Sequence, residues 1–168
     1  MKFSKEVSTK KHNVKNWNHC YVIQIGSKDL FTDLEKMGFT PNKSKNLMMP
    51  KISNTLFKHF VRGYFEGDGC VWYGTYNKKN RITRPRLIQT HFICGDKSFL
   101  KKLSAKLMQL AKMGRGSLVD KNIGFDLSYS KKDSIKLYDF LYSDKKKLFS
   151  DKKYSKFNKA LEFCGDVA

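Results

Sequence analysis

The sequence predicts an α+β fold built around an antiparallel sheet. Short segments rich in β-branched and aromatic residues alternate with segments whose apolar residues recur at helical spacing. The second part of the chain repeats the pattern of the first, imperfectly, which predicts a duplicated unit rather than one long irregular domain. The strands come in pairs joined by turns, with a helix between one pair and the next, so the pairing is expected to be antiparallel.

In order, residues 20–25 read as a strand, and 27–38 as a short helix with Leu30, Phe31, Leu34 and Met37 apolar and Gly38 at its end. Residues 40–44 are a loop, and Pro50 closes the section. From Ser53 onward Leu56, Phe57, Phe60, Val61, Tyr64 and Phe65 recur at i, i+1, i+4, i+5, the pattern of a helix apolar over a broad face. Ser53 or Asn54 can cap it, and Gly67-Asp68-Gly69 ends it. Residues 71–76 and 85–94 read as two antiparallel strands around a basic loop. Residues 98–113 form an amphipathic helix. Leu118-Val119 and 125–129 form a second hairpin, and 134–142 and 152–163 two further helices. The segment from Tyr21 to Leu34, followed by Lys43, parallels the segment from Phe125 to Leu141, followed by Lys153. The expectation is a partial first unit over 1–52, lacking its leading helix and first two strands, and a complete αββαββα unit over 53–168.

The chain has 168 residues, with 34 Lys+Arg against 15 Asp+Glu, and the net charge of +19 suits a polyanionic partner because cations placed on phosphates release condensed counterions. Hydrophobic residues make up 40% of the chain, enough for a core, which excludes a disordered basic tail. No apolar run approaches the roughly 20 residues that span a bilayer, and no apolar segment follows the first five residues, so an intracellular protein without a membrane partner is expected. Cys20, Cys70, Cys94 and Cys164 lie far apart with no C-x-x-C pair, which disfavours a zinc finger. Of the 34 cations 29 are Lys, and three of the five Arg fall in Arg81-Ile82-Thr83-Arg84-Pro85-Arg86. Because Arg can fork onto a guanine edge, base reading is expected at Arg81, Arg84, Arg86 and neighbouring Gln89, with Lys78 and Lys79 on phosphates. By the period of two, Arg84 and Arg86 share a strand face, as do Gln89 and His91. Trp72, Gly74 and Tyr76 lie on one face of their strand and Val71, Tyr73 and Thr75 on the other, and either could meet a ligand.

The segment Val61-Arg62-Gly63-Tyr64-Phe65-Glu66-Gly67-Asp68-Gly69 bears the chemistry. Gly63 and Gly67, spaced i, i+4, bare one helix face for close approach of a partner backbone. Asp68 stands at the C-terminal end, where the helix dipole disfavours a carboxylate and a divalent cation would compensate. The segment resembles the signature of the LAGLIDADG homing endonucleases, with Arg62 at a position usually small and Glu66 where Asp is commoner. The order of elements downstream fits that family. The resemblance implies a DNA-binding saddle of antiparallel strands and two motif helices packed side by side through Gly63 and Gly67. Each helix would deliver one Asp near a scissile phosphate, with Mg²⁺ held at Asp68 beside Gly67. It further implies an intron-encoded endonuclease hydrolysing double-stranded DNA, with no small-molecule substrate. Lys153, and Lys43 as its counterpart, match the family's lysine near the reactive phosphate. Asp96 stands where members often place a polar water-positioning residue, and Glu66 is expected to be a helix-end hydrogen-bond partner. One Asp per chain requires a second active unit, either from a homodimer or from a missing or split N-terminal half. The competing reading is a non-cleaving nucleic-acid binder, an RNA maturase or a degenerate DNA-binding regulator.

Overall fold

The computed structural model describes residues 8–10, 20–22, 24–39, 47–76, 84–144 and 149–165. The chain divides into two compact units, Met1–Lys36 and Met37–Ala168.

In the first unit β1 (Ser8–Lys10) pairs antiparallel with β2 (Cys20–Val22), Thr9 opposite Tyr21. The pairing of β1, a segment without a strand pattern of its own, is a finding of the structure. The helix α1 (Lys28–Lys36) follows, its first turn closed by the Ser27 hydroxyl, which accepts from the Leu30 N–H at 3.2 Å.

The second unit runs α2 (Asn54–Asp68), β3 (Gly69–Thr75), β4 (Arg86–Cys94), α3 (Lys97–Leu110), β5 (Ser117–Lys121), β6 (Gly124–Tyr129), α4 (Lys131–Tyr142) and α5 (Asp151–Cys164). Helix, hairpin, helix, hairpin, helix and helix thus stand where the sequence pattern places them, the ends shifting by at most three residues. The four strands form one antiparallel sheet in the order β3-β4-β6-β5. Val71, Ile88, Thr90, Phe92, Leu127 and Tyr129 point to one side and are buried against the helices. On α2 the fully buried Phe57, Val61 and Phe65 recur every four residues, so one stripe of the helix meets the sheet. Phe65 packs edge-on to Phe92 and lies against Phe157 of α5, which joins the motif helix to both the sheet and the last helix. Leu47, Met49 and Ile52, ahead of α2, also pack on this core. Among the described residues no helix is long and apolar enough to cross a membrane.

Candidate cleavage site and sheet face

The helix α2 passes into β3 with no connecting residue. The Gly69 N–H closes the helix on the Phe65 carbonyl. A Cβ at Gly69 would stand 2.3 Å from the Phe65 ring and 2.6 Å from its carbonyl oxygen, so only glycine fits the junction. Asp68, the last helical residue, is exposed and makes no hydrogen bond or ion pair among the described residues. An unpaired carboxylate at the negative end of the helix dipole is a site for a cation. Lys153 of α5 supplies one cation nearby: its Nζ donates to the Phe65 carbonyl at 3.0 Å and to the Gly69 carbonyl, and lies 5.6 Å from the Phe65 ring centroid. A lysine ammonium has three N–H donors, so one remains for a further partner.

Glu66 turns the other way. Its carboxylate accepts from the Tyr142 hydroxyl at 2.6 Å and from the Ser150 N–H at 3.1 Å, tying α2 to the end of α4 and the start of α5. Burial pushes the Tyr142 phenol well above its usual value and the Glu66 carboxylate adds to this, so the phenol stays protonated as the donor. The helix-end role expected for Glu66 is the one it occupies. Arg62, the departure from the motif's small residue, is buried under α4. It donates to the Leu141 carbonyl at 3.1 Å, pairs with His59 Nδ1 at 2.8 Å, and lies 3.9 Å from Asp144. The Asp144 carboxyl is held below its ordinary range, chiefly by a hydrogen bond from Lys58, with charge from Lys58, His59 and Arg62 in addition.

The glycine face is open. A Cβ at Gly63 or Gly67 would meet nothing within 4 Å. Above it lies a cavity of about 750 Å³ walled by Phe39, Met48, Phe60, Tyr64, Ile93 and Ile123, with Gly63 and Asp68 also lining it. Tyr64 is fixed in that wall by donating to the Ile93 carbonyl at 2.8 Å. Its phenol is raised by burial first and by the neighbouring Cys94 and Asp68 charges next, so it stays a donor.

The strand parity left open by the sequence is resolved by burial. Val71 is 1% exposed and Trp72 42%, so Cys70, Trp72 and Gly74 face away from the helices. The register sets Trp72 beside Gln89 and Cys70 beside His91, with His91 beside Ser128 and Ile93 beside Asp126, all on this outer face. His91 Nδ1 donates to both Asp126 oxygens, at 3.0 and 3.2 Å. The Trp72 indole reaches over Gly74, where an added Cβ would lie 3.1 Å from it. Gln89 therefore stands on the outer face.

Two expected site residues are occupied elsewhere. Arg86 has the parity of Ile88 and Thr90, on the helix side of β4. Its guanidinium donates to the Phe163 carbonyl at 3.2 Å and lies 5.3 Å from the Phe163 ring centroid, so it serves the C-terminal end of α5 instead of a base edge. Asp96 is the N-cap of α3, its Oδ1 accepting from the Ser98 and Phe99 N–H groups at 2.7 and 3.0 Å, so one oxygen of the carboxylate expected to orient water serves the helix. Arg84 is exposed just ahead of β4. Lys43, Lys78, Lys79 and Arg81 lie outside the described residues. Asp126 and Tyr64 are site-facing residues to which the sequence reading assigned no such role, and of the two β3 faces it left open the one bearing Trp72 is the free one. For Asp126 the signal was present: a polar residue between Phe125 and Leu127 in a strand marks the solvated face.

No group of three or more His, Cys, Asp or Glu side chains that could hold a metal ion occurs among the described residues. Asp68 at the carbonyl end of α2 fits one side of a divalent-cation site, whose remaining ligands would come from a second carboxylate and from substrate phosphate.

No family model and no curated protein matches the sequence. Solved structures do match. The homing endonuclease I-CvuI, in complex with the I-CreI target in the presence of Mg with the DNA not cleaved, aligns over 65% of this chain and 66% of its own, with a TM-score of 0.50 and 9% identity. The homing endonuclease I-TnaI aligns over 62% of this chain and 69% of its own, with a TM-score of 0.48 and 18% identity. The LAGLIDADG homing endonuclease I-LtrWI, bound to target DNA, aligns over 84% of this chain and 52% of its own, with a TM-score of 0.48 and 15% identity. The aligned part thus spans just under two thirds of the I-CvuI chain, and at such identities the likeness is one of fold. This chain has the α+β homing-endonuclease fold that its motif and element order predict.

Proposed function

We propose that this chain is a site-specific endonuclease that hydrolyses double-stranded DNA with Mg²⁺, working intracellularly as one of two cooperating units, and that it is intron-encoded. The observation that supports the reading best is Asp68, an unpaired, exposed carboxylate at a glycine-locked helix end, next to an open glycine face and an apolar cavity. The glycine face and cavity accommodate a second α2, either from another copy of this chain or from a separate half, and that helix would bring the second carboxylate that one chain lacks. Bound there, the metal would lower the pKa of its water and neutralise charge developing on the phosphate. The chain's own residues do the rest. Asp68 and the carbonyl end of α2 at Gly67 would hold the cation, Lys153 fixes that helix end and keeps one N–H for a phosphate oxygen, and Glu66 anchors the start of α5 so that Lys153 stays in register. The outer sheet face, with Trp72, Gln89 and the His91–Asp126 pair, suits the major groove. Lysines distributed over the surface supply phosphate contacts.

The test is Asp68→Asn, assayed for Mg²⁺-dependent cleavage of a library of candidate sites and for binding in Ca²⁺. Cleavage should fall by about three orders of magnitude or more while affinity stays within about tenfold, because the lost charge acts mainly in the transition state. Full cutting by the variant would refute the assignment. Sequence-specific binding by the wild-type chain without nicking would favour the non-cleaving binder.

A further inference from the structure

A second cavity, of about 560 Å³, opens on the helix side of the sheet between α3 and the edge strand β5, on residues distinct from those around Asp68. Its rim carries three cations, Lys97, Lys101 and Arg115, and no acidic residue lines it. Lys101 and Arg115 have no ion-pair partner among the described residues, while Lys97 rests 5.3 Å from the Phe125 ring centroid. Like cations gathered without a counter-charge repel one another, an arrangement an anion would relieve. The rest of the wall is apolar, formed by Ala105, Met108, Leu118 and Leu127.

Buried polar groups stand behind this wall. Ser104, 6% exposed, donates to the Arg115 carbonyl and so fixes the loop bearing that guanidinium. Tyr129, 1% exposed, has a hydroxyl with no hydrogen-bond partner among the described residues. Its ring edge abuts Gly116, where an added Cβ would lie 2.8 Å away, and Gly116 lines the cavity. Gly116 also has φ +72, so glycine is required there on both counts. The cavity therefore joins a cationic rim to an apolar wall.

From this pairing we propose that the cavity binds a nucleotide, its phosphate on Lys101, Arg115 and Lys97 and its base against Met108 and Leu118. Pockets of this size suit a ligand with one flat apolar part and a few fixed polar contacts. The nucleotide is either free or part of a single strand passing the β5 edge, and the +19 charge of the chain serves both.

The full chain is titrated with AMP, with inorganic phosphate, and with short single-stranded RNA and DNA, following the methyl resonances of Ala105 and Met108. AMP should give saturable shifts, with phosphate at least about tenfold weaker because it leaves the apolar wall unused. A strand binding about tenfold or more tighter than AMP identifies the polymer as the ligand, and equal affinity identifies the free nucleotide. The double variant Lys101→Ala/Arg115→Ala should weaken AMP by about tenfold or more with the unfolding temperature unchanged, since both side chains are exposed. Ala105→Trp should block the apolar part and remove the preference for AMP over phosphate. The proposal is overturned by the absence of saturation, by wild-type AMP affinity in the double variant, or by phosphate or an acidic peptide competing as well as AMP.

Discussion

Gly63 separates two effects of opposite sign when replaced by leucine. In the isolated chain its Cβ would meet nothing within 4 Å, and the position lies inside the fifteen-residue helix α2. Leucine costs about 0.8 kcal/mol less than glycine in a helix interior, so Gly63→Leu should stabilise the monomer, raising its unfolding temperature by about 2–3 °C for a chain of this size. In an assembly packed through this face the same side chain stands where the partner backbone must lie. Overpacking costs about 1–3 kcal/mol per site and a two-fold pair has two sites, so association should weaken by about 2–6 kcal/mol, or roughly 30-fold to more than 10⁴-fold in Kd. Sedimentation across a concentration series, with and without duplex DNA, reads the second effect, and calorimetry on dilute protein reads the first. A variant with unchanged association and cutting would show that α2 is not the interface. A lowered monomer unfolding temperature would show that the face is not open.

Three further variants test other parts of the site. Lys153→Met keeps the stem over Phe65 but leaves two partly buried carbonyls without their charged donor; it should cost about 1–3 kcal/mol in denaturant unfolding and lower cleavage, whereas unchanged stability would mean the lysine does not hold the helix end. Asp96→Ala removes the N-cap of α3 and should cost about 1 kcal/mol near neutral pH. Because hydrogen bonds from Ser98 and Phe99 hold the Asp96 carboxyl below its ordinary value, that contribution is full above the unfolded pKa and lost as pH falls through the lower folded one. A wild-type advantage surviving undiminished in strong acid would contradict the cap. Arg86→Ala should lower thermal stability and leave base preference unchanged, while Gln89→Ala should relax preference at one or two base pairs, worth about 1–3 kcal/mol each. The opposite pattern in a binding-site selection would reverse the assignment of the two strand faces.

The amino-acid order by itself determined the succession of elements in the second unit, because each is specified locally: apolar spacing near 3.6 in α2 and α3, and β-branched and aromatic runs in β3 and β4. It also singled out Gly63, Gly67 and Asp68, since chain order alone puts two bare positions and one carboxylate on consecutive turns at a helix end. It could not decide which face of β3 and β4 is free, because a period of two defines two faces without ranking them. Only the packing of α2 to α5 over Val71, Ile88 and Phe92 ranks them. Nor could it assign the charged side chains. Lys153 meets Phe65, Arg86 meets Phe163, and Glu66 meets Tyr142 across more than seventy residues of chain. Asp96 differs because its partners, Ser98 and Phe99, are its near neighbours, and the N-cap pattern ahead of Phe99 was there to be read. Local periodicity is written in neighbouring residues, whereas the partner of a long flexible cation is set by which backbone ends the folded core brings within its reach.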